Sequence, residues 1–259
     1  MISGYSSAAT LQQLQRKLET LSNNIANANT VGFKSRSVSF SDVLSSEYTN
    51  QPNENRSTPH GLRVGTGARA SLTSLSAAQG DVKETDRALD FALTEPSLFF
   101  TIATNDGQRL TRDGTFYFSE TAGGELSLVT KSGEPLLNEN GTPILLPAST
   151  ISLRLEQGGL TAELADGQEQ VIPTFGLTQI DRPQALEAVG ENQYVYLQED
   201  AIFGQAQANQ LKQRALEQSN VDLSQEMTQL ISTQRQIQLQ ARAFTFSDDM
   251  AGLVNNIRR

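Results

Sequence analysis

The chain has no cysteine and no tryptophan, and only one histidine among its 259 residues. Without cysteine there can be no disulfide, no thiolate nucleophile and no thiolate metal ligand. The lone His60 stands in Ser57-Thr-Pro-His60, a context that does not supply the rigid packing a Ser-His-Asp triad requires. Aromatic residues make up 6% and apolar residues 37%, lean for a compact enzyme of this length, so a long or assembly-dependent shape fits better. No run approaches the roughly 20 apolar residues of a membrane span. A cleaved signal peptide is not expected either: the basic n-region is missing, and Gln12, Gln13 and Gln15 interrupt any apolar core. There is no phosphate-cradling glycine loop followed by Lys-Ser/Thr. Asn105-Asp-Gly-Gln108 and Arg112-Asp-Gly-Thr115 lack EF-hand spacing and read as hairpin turns. Asp248 and Asp249, adjacent on a predicted helix, point about 100° apart and do not form a dyad. No basic stripe or aromatic platform is offered to nucleic acid. The sequence therefore predicts a protein that is not an enzyme, carries no cofactor or metal, and is not an integral membrane protein.

What the chain does have is periodicity at both ends. Leu11, Leu14, Leu18, Leu21, Ile25 and Ala28 alternate steps of three and four, which makes one seam along a helix. This helix is expected to begin near Ser3 to Ser7 and to stop near Asn29 to Gly32, with Gly32 as a C-terminal cap. About 26 helical residues reach roughly 40 Å, and a single apolar stripe of that length needs partners. At the far end, Asp222 is the expected N-cap, with Gln225 reaching back in a variant of the capping box. The seam there runs Leu223, Met227, Leu230, Gln234, Ile237, Ala241 and Phe244. It then shifts phase to Phe246, Met250, Leu253 and Ile257.

Between the helices, residues 34–70 lose periodicity and read as an extended arm or linker, rich in Ser, Asn, Pro and Gly from Ser45 to Gly67. Residues 71–210 read as an all-β domain. Turn signals recur at Asn105-Asp-Gly107, Asp113-Gly114, Gly123-Gly124, Ser132-Gly133, Asn140-Gly141, Gly158-Gly159 and Asp166-Gly167. They separate strand-like runs such as Leu98–Ala103, Thr115–Phe118, Leu126–Val129, Ile151–Leu155 and Tyr194–Leu197. The expected fold is α+β: an N-terminal helix (1–33) and a C-terminal helix (211–259), both coiled-coil-like, flanking an inserted β domain. Charge follows the same division. Residues 1–36 carry four basic side chains against Glu19, and residues 222–259 balance four arginines with four acids. The net −9 therefore leaves −12 on residues 37–221, which keeps strong repulsion away from the helices.

The stretch Leu21-Ser-Asn-Asn-Ile-Ala-Asn-Ala-Asn-Thr-Val-Gly-Phe33 resembles the N-terminal signature of the flagellar axial proteins of rod, hook and hook-associated type. Leu216-Glu-Gln-Ser-Asn-Val-Asp-Leu-Ser-Gln-Glu-Met227 resembles the matching C-terminal end. Gly61-Leu-Arg-Val-Gly-Thr-Gly67, Gln79-Gly80-Asp81 and Leu110-Thr-Arg-Asp-Gly-Thr-Phe116 resemble internal motifs of that family's distal rod members, in the same order. One departure stands out: a glycine-bracketed Gly-x-Gly-Phe-Phe is replaced by Thr94-Glu-Pro-Ser-Leu-Phe-Phe100, so the local loop must differ.

The resemblance implies a structural subunit of the bacterial flagellar basal-body rod, polymerising through its terminal helices into a tubular drive shaft that transmits torque to the hook. It implies self-association, other rod and hook proteins and the flagellar export apparatus as partners, and export without a cleaved signal. A proximal rod or hook-type subunit is the neighbouring alternative within the family. A secreted β-domain adhesin with coiled-coil ends is an alternative of another class, but a stalk would place its heptads at one end only. The expected assembly interface is Leu11, Leu14, Leu18, Leu21, Asn24, Ile25, Asn27, Ala28, Leu223, Met227, Leu230, Ile237, Phe244, Met250 and Leu253. The asparagine amides would hydrogen-bond across subunits without burying charge.

Overall fold

A computed structural model describes residues 2–42, 45–48, 62–65, 68–156, 159–196, 202–205 and 210–257. The chain has an N-terminal helix, a large all-β region and a C-terminal helix. It divides into two compact units: residues 1–26, 36–74 and 222–259 form the first, and residues 27–35 and 75–221 the second.

The first unit contains helix α1 (Ile2–Ala26), strands β1 (Arg36–Asp42), β2 (Ser45–Tyr48), β3 (Leu62–Gly65) and β4 (Ala68–Leu75), and helix α2 (Leu223–Ile257). The two helices pack against each other. Strand β1 pairs with β4, and β2 pairs antiparallel with β3. Parts of the expected arm are thus β-ladders, while the rest of 43–67, including His60, lies outside the described residues. Helix α1 stops at Ala26, earlier than the asparagine-rich pattern predicts. A turn takes over, in which the Asn27 carbonyl accepts the Thr30 N–H at 3.1 Å and the Asn27 side chain accepts the Thr30 hydroxyl at 3.1 Å. Such local side-chain bonds compete with helix continuation. Asp222 caps α2 as expected: its Oδ1 accepts the N–H groups of Ser224 at 3.0 Å and Gln225 at 3.1 Å. No return bond from the Gln225 side chain occurs among the described residues.

Among the described residues the second unit contains sixteen strands: β5 (Val82–Glu84), β6 (Phe91–Leu93), β7 (Leu98–Thr104), β8 (Gly107–Thr111), β9 (Tyr117–Glu120), β10 (Leu126–Val129), β11 (Leu145–Leu146), β12 (Thr150–Glu156), β13 (Gly159–Leu164), β14 (Glu169–Ile172), β15 (Leu177–Ile180), β16 (Leu186–Gly190), β17 (Gln193–Tyr196), β18 (Ile202–Gln205), β19 (Leu211–Gln213) and β20 (Ala215–Glu217). A six-stranded sheet runs in the order β16-β17-β8-β7-β15-β18, and two three-stranded sheets run β11-β10-β9 and β12-β13-β14. Two short ladders, β19 with β6 and β20 with β5, bring the chain's C-terminal approach back against its early strands.

Strand β7 is central in its sheet and buried from Leu98 to Ile102, which explains its unbroken apolar run. Alternation sends Phe100 and Phe99 to opposite faces. Phe100 joins Phe91, Phe116 and Phe175 in the main core, where Phe91 and Phe175 meet edge-on at 4.8 Å and Phe100 and Phe116 at 5.1 Å. Phe99 joins a smaller cluster with Leu110, Ile180, Leu186 and Tyr194.

Expected turns form at Asn105-Asp-Gly107, Gly123-Gly124, Ser132-Gly133, Asn140-Gly141 and Asp166-Gly167, and residues 157–158 lie outside the described set. Asp113-Gly114 is not a hairpin turn. The Asp113 carboxylate accepts the Thr115 N–H at 2.9 Å, and Phe91 N–H bonds the Gly114 carbonyl at 3.0 Å, so the pair forms an extended corner between β8 and β9. Strand β8 pairs with β7 and β17 while β9 pairs with β10 in another sheet, so no hairpin joins β8 to β9.

Candidate functional site

Parts of four of the motifs that carry the family resemblance, at residues 31–33, 79–81, 110–116 and 216–218, lie far apart in sequence and converge inside the second unit. Their meeting point is a buried cluster of three charged side chains. Lys34, Arg112 and Glu217 have side chains that are 1%, 0% and 2% exposed. The Glu217 Oε1 atom accepts the Lys34 ammonium at 2.7 Å and the Gly80 N–H at 3.0 Å. Its Oε2 accepts Arg112 Nε at 3.0 Å and also Arg112 Nη2 in a short ion pair. One carboxylate therefore takes four donors, which approaches its full capacity.

Two cations face one anion, so the cluster holds a formal charge of +1. Backbone carbonyls supply the balance. The Lys34 ammonium donates to the Ala78 carbonyl at 2.7 Å. Arg112 Nη1 donates to the carbonyls of Glu95 at 2.8 Å, Pro96 at 3.2 Å and Leu98, and its guanidinium lies 5.5 Å from the Phe99 ring centre. The loop that departs from the glycine-bracketed pattern is thus clasped through its carbonyls by Arg112. Burial lowers the Lys34 pKa, the Arg112 charge lowers it further, and the Glu217 carboxylate partly offsets both. Burial likewise lowers the Arg112 pKa, again opposed by Glu217.

The backbone fits around these side chains with little spare room. Gly32 has φ +67°, and a Cβ there would meet the Arg112 carbonyl oxygen at 2.4 Å. Its N–H donates to the Glu217 carbonyl at 2.8 Å. Gly80 is confined in the same way: a Cβ would meet the Gln218 oxygen at 2.0 Å. Both positions require glycine for close backbone approach. Asn220 completes the junction, accepting the Ser35 N–H at 2.7 Å and donating to the Ala78 carbonyl at 2.8 Å. From the β16–β17 turn, the Asn192 amide donates to the Val31 carbonyl at 2.8 Å. Residues 31–35, which continue from α1, and 217–220, which precede α2, are thus locked together. Sequence reasoning missed this cluster, although each residue lay in or beside a motif singled out above.

The expected interface residues fall into several environments. Leu21 is 4% exposed and Asn24 is wholly buried. Asn24 donates to the Arg36 carbonyl at 2.8 Å and accepts the Arg36 N–H at 3.0 Å, so its amide closes a two-bond bridge to β1 within the first unit. Leu11, Leu14, Leu18 and Ile25 on α1, and Asn27 and Ala28 in the following turn, are half-buried. On α2 the sheltered positions are Glu226, Gln229, Leu230, Thr233, Ile237 and Gln240, a seam rotated from the expected one. Leu230 and Ile237 belong to it. Leu223, Met227, Phe244, Met250 and Leu253 are 46%, 49%, 46%, 49% and 58% exposed and form no part of it.

Among the described residues no group of three or more His, Asp or Glu side chains is placed to hold a metal, and no helix is long and apolar enough to cross a membrane.

Comparison with known proteins agrees with these motifs. Residues 5–34 match the family model described as flagella basal body rod protein. Residues 212–257 match the one described as flagellar basal body rod FlgEFG protein C-terminal. The two matched segments contain Lys34 and Glu217. Over 97% of both chains, the sequence is 35% identical to the flagellar hook-basal body complex protein FlhP of Bacillus subtilis. It is 33% identical to the flagellar basal-body rod protein FlgG of the same organism, over 98% of both. It is also 31% identical to the rod protein FlgF of Mesorhizobium japonicum, over 89% of this chain and 87% of that one. The chain belongs to the flagellar basal-body rod protein family, whose members are structural components rather than a class of enzymes.

Proposed function

We propose that this protein is a structural subunit of the rod that polymerises through its terminal helices into a tubular shaft, in the distal part of the rod, and passes torque toward the hook. Its partners on this reading are further copies of itself, other rod and hook proteins, and the export apparatus that delivers it. The observation that carries the reading is the apolar surface left on α2 after the helices have packed. Leu223, Met227, Leu239, Phe246, Met250 and Leu253 are 46–67% exposed along one 35-residue helix. That much exposed apolar surface is typical of an interaction site. Leu11, Leu14, Leu18 and Ile25 on α1 add half-buried apolar surface of the same kind. Coiled-coil packing between copies covers the apolar faces that α1 and α2 leave exposed after packing on each other.

Electron microscopy of the purified full-length protein at high concentration tests this directly. Straight filaments or tubes are expected. Dispersed particles at every concentration would refute polymerisation through the chain's own helices.

A further inference from the structure

Arg214 lies between β19 and β20 with φ +57°, a left-handed conformation that favours glycine because it crowds a Cβ. The backbone is fixed there from both sides. Arg214 N–H donates to the Asp90 carbonyl at 2.7 Å, and the Arg214 carbonyl accepts the Thr85 N–H at 2.7 Å. The fold thus demands the left-handed bend whatever the side chain, and glycine would meet that demand with less strain. An arginine at such a position points to a use for its guanidinium.

That guanidinium is exposed, and no group among the described residues is bonded to it. It borders a cleft of about 350 Å³ along β12, also lined by Ser152, Arg154, Leu155, Glu156 and Gln213. The floor of the cleft is rigid. The Gln213 amide donates to the carbonyls of Ala88 at 2.7 Å and Leu153 at 2.6 Å, and accepts the Leu155 N–H at 2.9 Å. Arg154 stands at the rim, its side chain 59% exposed and its Nη2 3.2 Å from Glu163. Two of the lining residues are arginines against one acid, within residues 37–221 whose net charge is −12.

We propose that this cleft receives a carboxylate side chain from the acidic segment of a neighbouring copy of this chain, and that Arg214 grips it. A planar guanidinium with free donors binds carboxylate in a two-pronged fashion, and every other copy presents an acidic surface. The contact rests on the assembly reading above and adds to it a lateral contact outside the helices.

The test compares full-length wild type with Arg214→Gly and Arg214→Lys by sedimentation assays of filament formation over a range of salt concentrations, alongside thermal melting. Arg214→Gly should melt at or above wild type, because the strained Cβ is gone, yet need about three- to tenfold more protein to form filaments at low salt. Its assembly should also lose part of the salt sensitivity that an intermolecular ion pair confers, and Arg214→Lys should retain part of it. Arg214→Gly filaments with wild-type critical concentration and salt response would overturn the cleft alone. A lower melting temperature for Arg214→Gly would overturn it too, by making the arginine structural. Absence of filaments from the wild type at all salts would overturn the assembly reading and the cleft with it.

Discussion

Replacing Glu217 with Gln removes the only anion from a site that holds two buried cations. The carboxylate takes four donors, from Lys34, Gly80 and, twice, Arg112. An amide keeps one acceptor oxygen and turns an N–H₂ toward the other pair of donors. Lys34 and Arg112 then face each other without compensation in a site from which water is excluded. Breaking a buried pair in this way costs about 3–5 kcal/mol. The second unit comprises 9 and 147 residues in its two segments, and at that size about 1 kcal/mol moves the melting point by about 2–4 °C. The expected drop is therefore about 6–20 °C, followed by circular dichroism or calorimetry.

Lys34→Met provides the internal control. It leaves Arg112 and Glu217 as a neutral pair. The Ala78 carbonyl keeps its bond from Asn220, and Glu217 Oε1 keeps the Gly80 N–H. No acceptor is orphaned, and the expected loss is about 1 kcal/mol. Hydrogen exchange adds a local readout, because the Gly80 amide should lose protection in Glu217→Gln and hold it in Lys34→Met. Equal destabilisation by the two substitutions, or a wild-type melting curve for Glu217→Gln, would refute the charge argument.

Asn24→Ala should cost about 1–3 kcal/mol, because it leaves both backbone groups of Arg36 without their partner; protease sensitivity of the β1 segment is the check. Leu18→Asp, placing a carboxylate on the α1 seam, should abolish filament formation while the second unit, to which Leu18 does not belong, melts unchanged. Normal filaments from that variant would remove α1 from the assembly interface. Burial raises the Asp113 pKa above the ordinary 3.8, so the native state holds that proton more tightly than the unfolded chain does. The stability this lends is complete below 3.8 and is lost as pH rises through the folded value. Asp113→Asn should accordingly be at least as stable as wild type at neutral pH, with its advantage shrinking as pH falls toward 3.8 in a series of urea melts.

The helices and hairpins were legible because their signals are local. Asp222 announces its own helix two and three residues later, and Asn105-Asp-Gly107 turns between strands it touches. The heptads of α1 likewise identify a helix, though not its end, which the Asn27 turn decides. What stayed hidden depends on the partner. The α2 sequence carries apolar residues on more than one side, so periodicity could not tell which stripe meets α1 and which remains exposed. Asn24 read as a polar residue for a neighbouring subunit, whereas its amide is matched to a backbone segment twelve positions away. The ion cluster was the least legible. Lys34, Arg112 and Glu217 each look like ordinary surface charges in their own windows, and only the tertiary fold removes them from water. The one available signal was that each sat within or beside a motif quoted for the family resemblance.

Lys34 and Glu217 are separated by 183 positions. A chain that emerges from its N-terminus has therefore displayed most of its length before the neutralising carboxylate arrives. Until then, burying the ammonium carries an uncompensated desolvation cost, and closing so long a loop adds an entropic one. Early docking of residues 27–35 is unfavourable for as long as residue 217 is absent. The cluster is therefore a late contact: residues 27–35 gain a compensated place for Lys34 only once residue 217 is present to supply the carboxylate.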